Sequence, residues 1–260
     1  MLKVDNLSKS FGGLKAVQNF ALNLAPRDLQ GLIGPNGAGK TTVFNLLTGV
    51  YKPDTGSVTL DEQNITALRP SKIAAAGLSR TFQNIRLFGE LSVLDNVRLG
   101  CHVRSSGNMA GAVFQSVFSR AEENAMLARA RELLGVFNLN SLEDDQARNL
   151  CYGDQRRLEI VRALATEPKV LLLDEPAAGM NPQEKKQLAA AIRSLRDRFN
   201  LTILLIEHDM GLVMDICEKI TVLDYGQTIA VGTPQEIQTN PKVIEAYLGE
   251  AVQPEGSKAA

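Results

Sequence analysis

Apolar and polar positions change their period several times along the chain. Phe20, Leu22 and Leu24 alternate with Asn19, Ala21, Asn23 and Ala25, a period of two that predicts a half-buried strand. Residues 29–33 read as a short strand that runs into glycines. The turn Lys52-Pro53-Asp54-Thr55-Gly56 leads into a strand-like stretch at 57–60. Two uninterrupted apolar runs, at 170–173 and 203–206, have strand length, and between them 183–199 predicts a helix. Residues 122–134 are rich in Ala, Arg, Glu and Leu, lack Pro and Gly, and also predict a helix. Short buried strands alternating with helices predict an α/β protein with a largely parallel sheet. The core is expected in two sequence pieces, 1–87 and 166–250, with a helical segment, 88–165, inserted between them. A loose connection is expected from Ser105 through Gly111, and the small and polar residues 251–260 are expected to be a disordered tail.

Composition narrows the classes of function. The chain has 260 residues, 44% hydrophobic and 22% charged, which is ordinary for a globular domain and excludes wholesale disorder. Its 28 basic and 29 acidic residues nearly cancel, so no general electrostatic case exists for nucleic acid, and none is expected as a partner. Cys101, Cys151 and Cys217 lack metal-ligand spacing and fit a reduced compartment. Residues 1–6 hold no leader-type apolar core, and no apolar run approaches the ~18 residues of a spanning helix. The chain itself is expected to be soluble, and to reach a membrane only through a partner.

Gly34-Pro35-Asn36-Gly37-Ala38-Gly39-Lys40-Thr41 fits GxxxxGK[ST], between a strand-type run and a helix-forming stretch that begins at Thr42. Glycines at 34, 37 and 39 let the backbone turn its N–H groups onto one point, and the following helix adds its positive end. Lys40 then supplies a charge for the β- and γ-phosphates of a nucleotide, and Thr41 a hydroxyl for Mg²⁺. Downstream, Asp174 and Glu175 end the apolar run at 170–173. One carboxylate there can hold the metal, while the next faces differently and can polarise water.

With these two elements the chain resembles the ATP-binding cassette (ABC) family, over residues 2–250 and in the order of its motifs. The resemblance implies a P-loop NTPase core of ABC type, with a β-rich N-terminal subdomain and an inserted helical subdomain. It implies a Mg²⁺-dependent ATPase. Arg80-Thr81-Phe82-Gln83 resembles the family's Q-loop, whose glutamine reaches the metal and the attacking water. Leu150-Cys151-Tyr152-Gly153 stands at the place of the signature, which holds the γ-phosphate of an ATP bound by a second cassette. His208 matches the switch histidine and Phe11 the aromatic that stacks on adenine; His102 has no such context. The implied set is thus Glu175, Gln83 and His208 in hydrolysis, with Thr41, Gln83 and Asp174 toward the metal. Phe11, residues 34–42, Leu150, Cys151 and Gly153 are assigned to ATP.

Two positions depart from the widespread pattern. Cys151 replaces the signature serine, a weaker donor, at an expected loss of about 1 kcal/mol. Asn181 stands where many cassettes have aspartate, a departure at a position that in the family hydrogen-bonds across a cassette pair. The stretches Tyr152-Gly153-Asp154-Gln155-Arg156-Arg157-Leu158-Glu159 and Ala177-Ala178-Gly179-Met180-Asn181-Pro182 resemble the ATPase subunits of branched-chain amino acid importers. That group implies integral-membrane permease partners docking around 84–100, a second identical or related ATPase, and a substrate-binding protein across the membrane. It also implies a place on the cytoplasmic face of the inner membrane. Lipopolysaccharide-export ATPases have a similar C-terminal ending and form the alternative, with soluble non-transport ABC ATPases a third class.

Overall fold

The computed structural model describes residues 1–102 and 118–248. The loop expected from Ser105 through Gly111 and the tail expected at 251–260 lie outside the described residues. In chain order the elements are β1 (Leu2–Phe11), β2 (Leu14–Leu24), β3 (Leu29–Ile33), α1 (Lys40–Leu47), β4 (Thr55–Leu60) and β5 (Gln63–Asn64). Then come α2 (Pro70–Ala76), β6 (Leu78–Arg80), α3 (Val93–Cys101), α4 (Phe118–Val136) and α5 (Tyr152–Leu164). The chain continues through β7 (Val170–Asp174), α6 (Pro182–Phe199), β8 (Thr202–Ile206) and α7 (Met210–Ile216). It closes with β9 (Lys219–Asp224), β10 (Gln227–Gly232), α8 (Pro234–Gln238) and α9 (Pro241–Leu248).

Contacts divide the chain into two compact units, Met1–Ala67 with the chain from Leu204 onward, and Leu68–Ile203. The division cuts β8. The inserted segment expected at 88–165 lies within the second unit.

The first unit is rich in strands. Its antiparallel sheet has the order β2-β1-β4-β5, and β1 meets β2 with Leu2 opposite Leu24 and Val4 opposite Leu22. Leu2, Val4, Leu7, Phe20 and Leu24 from this sheet are at most 1% exposed. A bulge at Asn6, whose φ is 48°, moves the inward-facing set from Leu2 and Val4 to Leu7. β3 pairs in parallel with β9, which in turn pairs antiparallel with β10. All five residues of β3 are buried, including the polar Gln30, whose amide donates to Asn23 O at 3.2 Å and Asp28 Oδ2 at 2.8 Å.

In the second unit β6 and β7 run parallel, with Leu78 opposite Val170 and Arg80 opposite Leu172. β7 is buried throughout and therefore reads as a continuous apolar run up to its terminal Asp174. α6 starts on a capping box: Asn181 Oδ1 accepts from Gln183 N and Glu184 N, both at 3.0 Å, and Glu184 Oε2 accepts from Asn181 N at 2.8 Å. Pro182 at the first helical position completes that start. Asn181, the second departure noted in the sequence, thus caps a helix of its own chain. Helices expected at 122–134 and 183–199 form within α4 and α6, and the signature stretch opens α5.

Candidate functional site

β3 ends fully buried and the chain must reverse into α1 within a few residues. Gly34 takes a φ of 149° and Gly39 one of 104°. A Cβ at Gly34 would stand 2.0 Å from the Leu223 carbonyl oxygen, and at Gly39 2.5 Å from that of Ala16. Only glycine fits either place. Gly226 N donates to Ala38 O at 2.9 Å and Gln18 N to Gly226 O at 2.7 Å, which ties the loop down. α1 begins without a side-chain cap, a helix end of the kind that receives an anion. Lys40 is 6% exposed, and its Nζ donates to Gly34 O at 2.6 Å and Pro35 O at 2.8 Å. The loop's own carbonyls therefore hold the ammonium over the loop. Pro35 and Ala38 are buried, Thr42 is half-buried, and Asn36, Gly37 and Thr41 are exposed.

Two further candidates belong to the same unit. Phe11 is 42% exposed, its ring meets Tyr51 edge-on with centroids 5.1 Å apart, and Lys9 Nζ lies over the ring at 5.5 Å from its centroid. Asp54 accepts from Ser10 N and Lys9 Nζ, both at 2.7 Å, so the tip of β1 is pinned. These bonds hold the Asp54 carboxyl below its ordinary range, the Lys9 bond contributing most. His208 is exposed just after β8, and its backbone N–H donates to Glu207 Oε2 at 3.1 Å. Asp209 caps α7 through Leu212 N at 2.9 Å, which fixes where the chain turns after His208.

In the second unit the structure brings Gln83, Asp174 and Glu175 together. Asp174 is 1% exposed at the end of β7. Its Oδ2 accepts from the Arg80 guanidinium at 2.6 Å, and its backbone N–H donates to Thr81 Oγ1 at 3.2 Å. Burial pushes the Asp174 carboxyl above its ordinary pKa, and the Arg80 bond opposes that only in part. Its Oδ1 is buried without a hydrogen-bond partner among the described residues. Glu175 follows with a φ of 48°, a conformation that an ordinary side chain rarely adopts. Half-buried there, its Oε2 accepts from Gln83 Nε2 at 2.9 Å.

Leu150, Cys151 and Gly153 stand at the start of α5. Leu150 is buried and Cys151 exposed, and Cys151 occupies the cap position without capping the helix. Its thiol donates to Asp154 Oδ2 at 3.2 Å. The same helix grips the loop that carries Gln83. Arg156 donates to Phe82 O at 2.7 Å, to Gln83 O and to Tyr152 Oη, while Glu159 Oε1 accepts from Phe82 N and Arg86 N at 3.3 Å. Arg156 and Glu159 are each 2% exposed. The sequence placed both in a subfamily stretch but assigned them no role, because partners 73 to 77 residues away leave no local pattern.

One unit thus carries a glycine loop with a buried lysine held over it, and the other a buried carboxylate beside a second carboxylate that is hydrogen-bonded to an amide. Residues 17–178 match the family model described as ABC transporter. The chain belongs to the ABC transporter family. A second model, for the branched-chain amino acid ATP-binding cassette transporter, matches residues 227–253 of the cassette. The cassette is 51% identical over 252 residues to the high-affinity branched-chain amino acid transport ATP-binding protein LivG of Salmonella typhimurium, covering 96% of this chain and 98% of that one. Against BraF of Pseudomonas aeruginosa, which bears the same description, identity is 46% over 251 residues, with the same coverage. The lipopolysaccharide export ATP-binding protein LptB of Haemophilus influenzae is 33% identical over 250 residues, covering 96% and 98%. Among solved structures, the ADP conformation of an ABC transporter's ATP-binding cassette superposes with a TM-score of 0.83 at 32% identity, covering 96% and 98%. The cassette is thus an ATPase of the ABC type, with the mixed α/β P-loop fold of that family. No helix of the described residues is long and apolar enough to cross a membrane.

Proposed function

We propose that this cassette is the ATP-hydrolysing subunit of an importer of branched-chain amino acids, bound to a permease on the cytoplasmic face of the inner membrane. The observation that carries the hydrolytic reading is the Gln83–Glu175 hydrogen bond of 2.9 Å beside the buried Asp174. It puts an amide and a carboxylate where one water can be held and polarised. Support for the cargo comes from LivG and BraF, and from the 227–253 match.

The residues divide the work. Phe11 stacks on adenine, and the 34–42 loop with Lys40 holds the phosphates. Glu175 takes the proton of the attacking water, Gln83 orients it, and His208 contacts the γ-phosphate. A hard divalent cation suits the oxygen donors each unit offers: Asp174 Oδ1, buried and without a hydrogen-bond partner among the described residues, in one, and the Thr41 hydroxyl in the other. Among the described residues no cluster of three His, Cys, Asp or Glu could hold a metal alone. That suits Mg²⁺, which is bound through one or two protein oxygens and the substrate phosphates. Mg²⁺ would neutralise charge building on the phosphates.

Two cassettes close on ATP, with the start of α5 of each, at Leu150, Cys151 and Gly153, facing the other's γ-phosphate. Hydrolysis removes that bridge. Open and closed pairs therefore differ in affinity for ATP, which drives the permease between its two states. A substrate-binding protein across the membrane delivers the amino acid.

Glu175→Gln tests the catalytic half: ATP binding persists, while turnover falls by about a hundredfold or more. Wild-type turnover in that variant refutes the assignment of Glu175. Purification of the tagged chain from gently solubilised membranes, with its partners identified by mass, tests the transport half. Permease chains with a second cassette, and leucine uptake by the reconstituted complex, support import. Lipid-export components in their place would turn the reading toward the LptB type.

A further inference from the structure

Arg80 and Asp174 form an ion pair that the motifs leave without a role. Both side chains are deeply buried, at 5% and 1% exposure, and the contact is short, 2.6 Å from the guanidinium to Oδ2. Burying a carboxylate and a guanidinium is costly, and the pair recovers that cost only when the geometry is good and the remaining lone pairs are satisfied. A structural pair of this kind normally uses the two-pronged fork of arginine on both carboxylate oxygens. Of the two carboxylate oxygens the guanidinium meets Oδ2, and Oδ1 is left buried without a hydrogen-bond partner among the described residues. The carboxylate is half-served, with its open oxygen in a place that water does not reach.

The cation also stands at a lever. Arg80 ends β6, and Thr81, Phe82 and Gln83 follow it directly. Thr81 Oγ1 accepts from the Asp174 backbone N–H, the Arg80 guanidinium lies 5.1 Å from the Phe82 ring centroid, and Gln83 binds Glu175. A change in where the guanidinium sits is therefore felt at once by the strand end that presents Gln83.

We propose that Arg80 is the resident counter-cation of Asp174, which holds the carboxylate in the metal-free cassette and yields part of that contact when a divalent cation arrives with nucleotide. Metal loading is thereby reported to the Gln83 loop. The inference rests on the reading of Asp174 as the metal-holding carboxylate. A static structural pair would differ in one respect: its loss would weaken metal binding by leaving Asp174 disordered. A competing cation does the opposite.

The test uses the purified full chain and a non-hydrolysable ATP analogue, with affinity measured calorimetrically in EDTA and in Mg²⁺. The ratio of the two affinities is the metal increment. Arg80→Gln raises that increment about tenfold, with affinity in EDTA held within about twofold, and Arg80→Lys stays near wild type. An unchanged or smaller increment in Arg80→Gln overturns the proposal. A second arm needs no metal: denaturant stability in EDTA for Arg80→Gln, Asp174→Asn and the double variant. The double variant is less destabilised than the sum of the singles if the cation serves that carboxylate, and strict additivity overturns the pairing. If the wild-type chain binds the analogue in neither condition, the nucleotide reading falls and this inference with it. If it binds in both and the variant increments match, the inference alone falls.

Discussion

Gly39 carries the phosphate loop in a way that no other residue could. Its φ of 104° and the 2.5 Å approach of the Ala16 carbonyl to a would-be Cβ mean that Gly39→Ala strains the backbone and pushes on a neighbouring strand. The expected loss is about 3 kcal/mol of stability, with nucleotide affinity falling in parallel, read from urea titrations and calorimetry. The cysteines separate by burial. Cys217 packs against Gly31, where a Cβ would stand 3.2 Å from its sulfur, and burial pushes its thiol up to about 12. Cys151 is exposed at the cap of α5. Alkylation of the native chain near neutral pH followed by peptide mass analysis should therefore mark Cys151 and spare Cys217 until the chain is unfolded. The loop was legible in the sequence because each glycine's requirement is local. Arg80 and Asp174 were equally visible as letters, but they are 94 residues apart and only the parallel pairing of β6 with β7 makes them neighbours.

α5 is both the signature helix and the clamp on the Gln83 loop, and its buried Glu159 is the ionisable part of that clamp. Burial raises the Glu159 carboxyl above the ordinary carboxylate range, while the Arg86 and Phe82 N–H groups and then Arg156 and Arg162 oppose the shift. The folded chain therefore holds this proton more tightly than the unfolded one. Stability from the group is fully present below the unfolded pKa and is lost as pH rises through the raised folded value. Glu159→Gln cannot titrate, so wild-type stability minus that of the variant should decline as pH rises from the ordinary carboxylate range through the raised folded value. Urea midpoints across that range measure it, and a flat difference would contradict the raised pKa. Elements with one clear period or an unbroken apolar run, such as β7 and α6, could be read from the pattern. β1 could not, because the bulge at Asn6 shifts its inward face after Val4 and breaks the period of two.

For the assembled transporter, the question is how a cassette with no membrane-crossing helix among its described residues passes force to a permease. The second unit holds a groove of about 440 Å³ lined in part by Phe82, Phe88, Leu99 and Arg162. Phe88 and Leu99 are 54% and 40% exposed, an apolar rim that the fold leaves uncovered. Phe88 is tied to the same framework, since Asn96 bonds its N–H at 2.9 Å and its carbonyl at 3.0 Å, and Arg162 lies 5.6 Å from its ring centroid. Phe82 belongs at once to this groove and to the loop gripped by Arg156 and Glu159. A short permease helix seated there would press on the backbone that presents Gln83 to Glu175, so docking and catalysis would be mechanically joined. Leu99→Asp separates the two. The side chain is exposed and makes no catalytic contact, so stability should move by less than about 0.5 kcal/mol and the isolated chain's ATPase should be unchanged. Recovery of permease chains with the tagged variant should collapse, because a carboxylate would have to be desolvated in the interface. Full recovery with Leu99→Asp would move the docking site elsewhere and leave the groove without a partner.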